Sequence, residues 1–499
     1  MSATPSAVES SLPLDDVQGV ILRGFRSYRS ISHLVFNIAD AEGARKLCAL
    51  LVPGSGAPMT VTQASPWRDK PAYCLNMGVT KRGLTKLIGA ANYTVLLNDS
   101  ATIMSAYDRG ADSAVTAGIV GDTGDSAPSQ WWQRDGGWTL EGTAPSSAPL
   151  DLLITIYTQS STSREEFVDT LLGMIPSDAN GRPSVQLAYR RDCDPLDPPD
   201  GIHFGYVDGI SQPRIEGFDD PTSSDDRPTV PSCFFVVDGK AAAAPYNSDP
   251  FLTNGGFGAF RVLYQDVGQF QTFLGQAGDQ GAQDLLASKM CGRWKDGTPV
   301  EVSPEGPDPA ITGLALSNFN YLSASPNQKN AAAAPDFDTY GQRCPYGSHT
   351  RRTNPRDDTA FKMNTDNAQT HRVMRRAFAY GPEFAADPSA QRGLAGLFMG
   401  ANLTDQFEFV MQTWMSTGGF RSPDLSPNAS GCDPLFGPQP GNPGLTAFDS
   451  LPDSVPLPPT SSEYQSTPGL ERFVRTDGSL YVFLPSVHAL KQMGNGGIA

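Results

Sequence analysis

The sequence is short of histidine, short of basic residues and without any paired-cysteine motif, and each shortage removes a class of function. Its seven cysteines, Cys48, Cys74, Cys193, Cys233, Cys291, Cys344 and Cys432, include no C-x-x-C pair. Zinc ribbons, thioredoxin-like motifs and C-x-x-C-H cofactor attachment are therefore excluded, and scattered reduced thiols are expected. No apolar run approaches the length of about 18 residues that a spanning helix needs, so no membrane span is expected. Lys+Arg number 37 against Asp+Glu 53, a net charge of −16. Phosphate backbones are held by basic patches, so nucleic acid is not an expected partner. The first residues, MSATPSAVESSLPLDDVQG, carry neither a basic n-region nor an apolar h-region. They read as no secretory signal, which favours a cytoplasmic product and leaves secretion open if a signal has been removed.

What is present is a long chain with many turns. At 499 residues it exceeds one compact core and predicts two domains. The 50 glycines and 42 prolines follow no period, which points to turns and loops rather than to a fibre. Ser32–Ala39 reads as a strand and Asp40–Leu51 as a capped helix; Leu150–Tyr157 and Ser161–Gly173 repeat that pairing. Gly258–Tyr264 leading into Gln265–Gly275 is a third pair, and Ser479–Pro485 a late strand. Long loops lie at Gly121–Pro149, which holds Trp131, Trp132 and Trp138, and at Ser422–Thr467. Apolar content drops at Asp219–Pro231, the best domain boundary. Strand–helix pairs on both sides of it permit two similar α+β halves.

The five histidines are His33, His203, His349, His371 and His488. His33 lies within an apolar strand and His488 just beyond one, so both read as packing or surface residues. Four segments surround the other three. Phe204–Pro213 reads FGYVDGISQP, with Gly205 and Gly209 bracketing Asp208 so that backbone can approach something flat and bulky. Alone, G-x-x-D-G is a common turn. Here it is followed in order by Lys289–Val300 (KMCGRWKDGTPV), Cys344–Arg356 (CPYGSHTRRTNPR) and His371–Glu383 (HRVMRRAFAYGPE). Together they resemble the dye-decolourising peroxidase family, in its longer, fungal-like branch. Asp16-Val17-Gln18-Gly19 and Phe407–Trp414 fit as well, so the resemblance runs from about residue 15 to the end.

The resemblance implies an α+β fold of two ferredoxin-like domains, antiparallel sheets with helices on one face. Residues 1–222 would form the first domain and 223–499 the second, with the haem in the C-terminal half. It implies one haem b per chain, hydrogen peroxide as oxidant and small aromatic reductants, in a monomer or homodimer. His349 matches the iron-ligating histidine, Asp208 the acid–base residue and Arg375 the arginine that stabilises charge on the leaving oxygen. Gly205, Gly209, Ile210, Ser211, Gln212, Arg352 and Arg356 are the expected haem contacts. Tyr380 and Trp414 match oxidisable aromatics that would carry electrons from bulky dyes at the surface, or else they simply pack. A metal-ligating histidine donates its other N–H to a carboxylate. Glu408, Asp405, Asp433 and Glu471 all qualify. An aspartate, ordinarily titrating near 3.9 against about 6.5 for histidine, stays ionised in acid, so activity well below pH 5 is expected.

The chain departs from the family pattern in two places. Ala377 and Ala379 stand where the arginine block has Gly and Pro, and the distal phenylalanine falls on Gly396 unless Phe398 replaces it. Both bear on the shape of the pocket. The reductant is open among phenols, anthraquinone or azo dyes, lignin fragments and manganese; Asp219, Asp220, Asp225 and Asp226 offer oxygens to a cation or are solvated loop charge. Two other functions compete: a haem-handling protein whose peroxidase activity is incidental, and a binding protein that uses the tryptophan-rich loop. The first needs neither Asp208 nor Arg375; the second needs no haem.

Overall fold

The computed structural model describes residues 12–145, 149–220, 223, 225, 227–238, 248–322, 338, 341, 343–357, 369–416, 433–436 and 472–497. Its strands are β1 (Ser30–Ile38), β2 (Cys74–Val79), β3 (Leu152–Thr158), β4 (Val185–Cys193), β5 (Arg214–Ile215), β6 (Thr229–Val230), β7 (Gly256–Gln265), β8 (Met374–Tyr380), β9 (Gly393–Gly400) and β10 (Val474–Leu484). Eight of them form one sheet in the order β4-β1-β3-β2-β10-β7-β9-β8, antiparallel throughout. The order 4-1-3-2 of the first half recurs as 10-7-9-8 in the second. The halves join where β2 meets β10, with Val79 opposite Phe483.

The sheet curls until its edges approach, and Arg191 of β4 lies 4.6 Å from the ring centre of Tyr380 on β8. His33 of β1 and Phe260 of β7 meet across the interior, ring centres 5.0 Å apart. One buried core therefore runs through both halves, from Val20 and Ile31 to Phe483 and Leu490. Strand alternation sends the other side chains of the second half outwards. Leu263 and Gln265 of β7, Arg375 and Ala377 of β8, and Leu394 and Phe398 of β9 all line one cavity there.

The strand–helix pairs expected from the sequence form. Asp40, Ser160 and Asp266 cap helices Ala41–Leu50, Ser161–Gly173 and Val267–Gly275, accepting from the amides of Gly43, Ser163 and Gln269. Strands β2, β4, β8 and β9 and the short helices between Lys81 and Val120 are additions. Six cysteines are free and buried; Cys432 lies outside the described residues. Among the described residues, no helix is long and apolar enough to cross a membrane.

Candidate active site

His349 opens a single helical turn, His349–Thr353, after Ser348 in extended conformation. Two bonds fix that turn: Ser348 Oγ donates to the Lys289 carbonyl, and Thr353 Oγ1 donates to the His349 carbonyl at 2.9 Å. The imidazole Nδ1 is 2.7 Å from Asp433 Oδ2. Asp433 is fully buried, and its other oxygen accepts the amides of Leu435 (3.0 Å) and Phe436 (3.3 Å). With Nδ1–H donating to that carboxylate, the lone pair of Nε2 is free to bind a metal. Of the four candidate partners, the structure thus selects Asp433. Glu408 instead pairs with Arg109 and accepts from Tyr481 at 3.1 Å; Asp405 accepts from Asn402; Glu471 lies outside the described residues.

His349 lines a cavity of about 1610 Å³, open mouth included, whose wall also holds Asp208, Ile210, Ser211 and Arg375. Asp208 sits in a tight turn: Gly205 N–H donates to Ile202 (2.8 Å), Val207 N–H to Lys295 (3.0 Å) and Asp208 N–H to Asp200 (2.8 Å). Gly205 and Gly209 have φ of +90° and +75°, which side chains other than glycine rarely adopt, so both glycines serve the turn. Arg375 is tied to the same segment. Its Nη2 donates to the Ile210 carbonyl at 2.8 Å, and its backbone exchanges two bonds with the Gln212 amide (3.1 and 3.2 Å). The Asp208 carboxylate and the Arg375 guanidinium are thus held by one short stretch of chain.

Three further cations gather here. Ser211, at φ +60°, receives Arg293 (3.0 Å) and Arg356 (3.1 Å) on its hydroxyl and Arg372 (2.7 Å) on its carbonyl. Arg293 and Arg372 line the cavity beside Arg375. Burial, reinforced by Arg356 and Arg375, pushes Arg293 down to about 10 and Arg372 to about 9. Among the described residues none of these guanidiniums has a carboxylate at hydrogen-bond distance. Buried cations crowded without a counter-ion suit a ligand that brings its own acids. An imidazole with a free Nε2, walls of Phe398, Phe407, Val410, Met411, Leu435 and Phe436, and a cationic rim together fit a haem with its two propionates. Arg293 and Arg372 escaped the sequence reading, because only tertiary contact brings them to Ser211.

Other expectations need correction. Arg352 is buried away from the cavity and donates to the Trp414 carbonyl; Arg356 reaches Ser211 but does not line the cavity. Tyr380 and Trp414 are 1% and 4% exposed, so neither is a surface site. Gly205 and Gly209 shape the turn, and Gln212 holds Arg375, without lining the cavity themselves. Phe398 faces the cavity, whereas Gly396 packs against β8. His203 is bound to the Tyr380 carbonyl (2.8 Å), and His371 stacks on Phe409 at 3.7 Å. Neither reaches the cavity. Trp131 and Trp132 are buried, and Trp138 is half-buried with Nε1 bonded to Leu140 O, so the loop presents no aromatic binding face. Asp219 and Asp225 are engaged by Ile215 and Arg227, Asp226 lies outside the described residues, and no acidic metal cluster forms among those described.

No protein-family model matches the chain. It is 28% identical to a dye-decolorizing peroxidase of Auricularia auricula-judae over 97% of its length and 88% of the relative's. It is 29% identical to Peroxidase 2 of Mycetinis scorodonius, with 98% and 89% covered. A crystal structure of an Auricularia auricula-judae DyP-type peroxidase superposes with a TM-score of 0.75 at 24% identity, covering 97% of this chain and 99% of that one, a likeness of fold. Another, a dye-decolorizing peroxidase in complex with 2,6-dimethoxyphenol, gives 0.73 at 25% identity over 97% and 100%. Over nearly its full length, the chain is thus similar to curated fungal dye-decolourising peroxidases in sequence and to their solved structures in fold.

Proposed function

We propose that the protein is a haem b peroxidase that reduces hydrogen peroxide and oxidises phenols and anthraquinone- or azo-type dyes. The observation that carries this is the convergence of three groups on one cavity: His349 with its Asp433 partner, Asp208, and Arg375. Haem bound there supplies the iron at which peroxide is split and the oxidising equivalents passed to the reductant. His349 Nε2 would hold the iron, and Asp433 keeps the imidazole in the tautomer that could do so. Arg293 and Arg372 meet the propionates, with Arg356 behind them on Ser211. Asp208 would take the proton of peroxide and return it to the departing oxygen, and the Arg375 guanidinium would offset negative charge growing there. Repetition of the 4-1-3-2 order supports two ferredoxin-like domains, residues 1–222 and 223–499, sharing one core.

The haem-handling alternative leaves Asp208 and Arg375 idle. Peroxide-dependent oxidation of 2,6-dimethoxyphenol separates the two readings. Asp208→Asn and Arg375→Leu are expected to lower kcat/KM for peroxide by a factor of about 100 or more while retaining haem. His349→Ala is expected to lose the bound iron ligand altogether. Equal rates in the wild type and both cavity variants would sink the peroxidase reading.

A further inference from the structure

A second cleft, about 820 Å³, meets the first at Asp208 and Arg375 and opens to the surface on the side of residues 24–29. Its charges are unevenly matched. Asp200 pairs with Arg29 (2.5 Å), and Asp194 with Arg164 (2.8 Å), which Glu165 and Asp192 also approach. Arg26, Arg375 and Arg376 remain on its wall, and their guanidiniums donate to backbone carbonyls: Gly209 for Arg26, Ile210 for Arg375, and Arg23, Leu22 and Arg375 for Arg376. Three guanidiniums that no side-chain carboxylate among the described residues binds thus stand with Asp208 in one cleft, in a protein whose net charge is −16. Burial holds the Arg376 guanidinium down to about 10, and Arg26 and Arg375 add to that effect. Such a site gains from an added anion. Beside the cations stand Phe25, Leu196 and Phe378, an apolar wall against which an aromatic ring can pack.

We propose that this cleft binds aromatic reductants bearing a carboxylate or sulfonate, with the ring on Phe25, Leu196 and Phe378 and the anion on the Arg26–Arg376 side. The proposal deepens the peroxidase reading, since it names the reductant class that reaches Asp208 and Arg375 by this route. An acidic surface repels such anions elsewhere, so the cationic cleft also selects where they dock. Arg26 is the exposed member of the set and discriminates by charge. It also clamps the Gly209 carbonyl, and the test must separate the two roles.

Two measurements do so. In the haem-loaded enzyme, the KM ratio of 2,6-dimethoxyphenol to its 4-carboxylate is compared between the wild type, Arg26→Lys, Arg26→Gln and Arg26→Glu, so that intrinsic differences between the two phenols cancel. The expected result is a lower KM for the carboxylate in the wild type, a preference kept by Arg26→Lys, weakened about fivefold by Arg26→Gln and reversed by Arg26→Glu. A clamp alone would shift both substrates together and leave their ratio constant, and that outcome overturns the proposal. Calorimetric titration of benzoate against benzyl alcohol, without peroxide, reads binding independently of turnover. If neither phenol is oxidised but benzoate binds and Arg26→Glu abolishes it, the peroxidase reading fails and the anion site stands. If benzoate binds no better than benzyl alcohol, the anion site fails whatever the turnover.

Discussion

The bond between His349 and Asp433 sets what the cavity can do with a metal. Asp433 is buried with both oxygens engaged, one by the imidazole and one by the Leu435 and Phe436 amides. Replacing it with Asn keeps an oxygen for those amides but turns an NH₂ group towards Nδ1. The imidazole then loses its anionic acceptor and becomes a weaker donor to iron. Asp433→Asn is expected to weaken haem binding roughly tenfold or more and to raise the iron reduction potential. Spectroelectrochemical titration checks the second effect; an unchanged potential would remove Asp433 from the account. Residues of this kind are only half legible in sequence. His349, Asp208 and Arg375 lie within contiguous motifs, so the chain itself announces them. Asp433 comes from a segment remote in sequence and in an otherwise loop-like composition, and Arg293 and Arg372 meet only through Ser211.

At the scale of elements, the strands that carry the site are those that propensity describes least well. Strand β9 contains Gly393, Gly396 and Gly400, and β8 has Arg375 and Arg376 side by side in its first half, so neither shows the alternation of apolar and polar residues that marked β1. Close packing explains the glycine. A Cβ on Gly396 would stand 2.1 Å from the Arg376 carbonyl oxygen and 2.3 Å from Ala377 Cα. Gly396→Ala must therefore push β9 from β8 and shift Arg375 with it. The expected cost is about 1–3 kcal/mol in denaturant unfolding. Gly118→Ala is the control. It lies within helix Ala114–Val120 with nothing within 4 Å of the added methyl, and should gain up to about 1 kcal/mol. Equal effects would contradict the packing argument. The cavity-lining helix Thr404–Met415 is also irregular: its two stretches, Thr404–Glu408 and Val410–Met415, are π-helical. Such widening often accompanies functional sites. Here it presents Phe407, Val410 and Met411 to the cavity.

Across the whole molecule, the curled sheet places an imidazole where no water reaches it. His33 is fully buried between Thr155 and Phe260, and burial pushes it down to about 4. In the unfolded chain it titrates near 6.5. Between those values the unfolded state binds a proton that the folded state refuses, so stability falls as pH drops from about 6.5 to about 4 and the effect levels off below. The full span is worth about 3 kcal/mol. His33→Gln should flatten the dependence of unfolding free energy on pH over that window; the same slope in both proteins would contradict it. The repeated strand order was partly visible in the strand–helix pairs that precede and follow Asp219–Pro231. That the halves share one continuous core was not, because the joining contact is a single β2–β10 pairing and the curl depends on side chains far apart in sequence.

The central claim is that Asp208 moves the proton of peroxide at a haem held by His349. The direct measurement is rapid-mixing absorption of haem-loaded protein with one equivalent of hydrogen peroxide, beside Asp208→Asn. The expected result is a fast change in the Soret band of the wild type and one slower by about 100-fold or more in the variant, with haem content equal. A variant that reacts as fast as the wild type would contradict it.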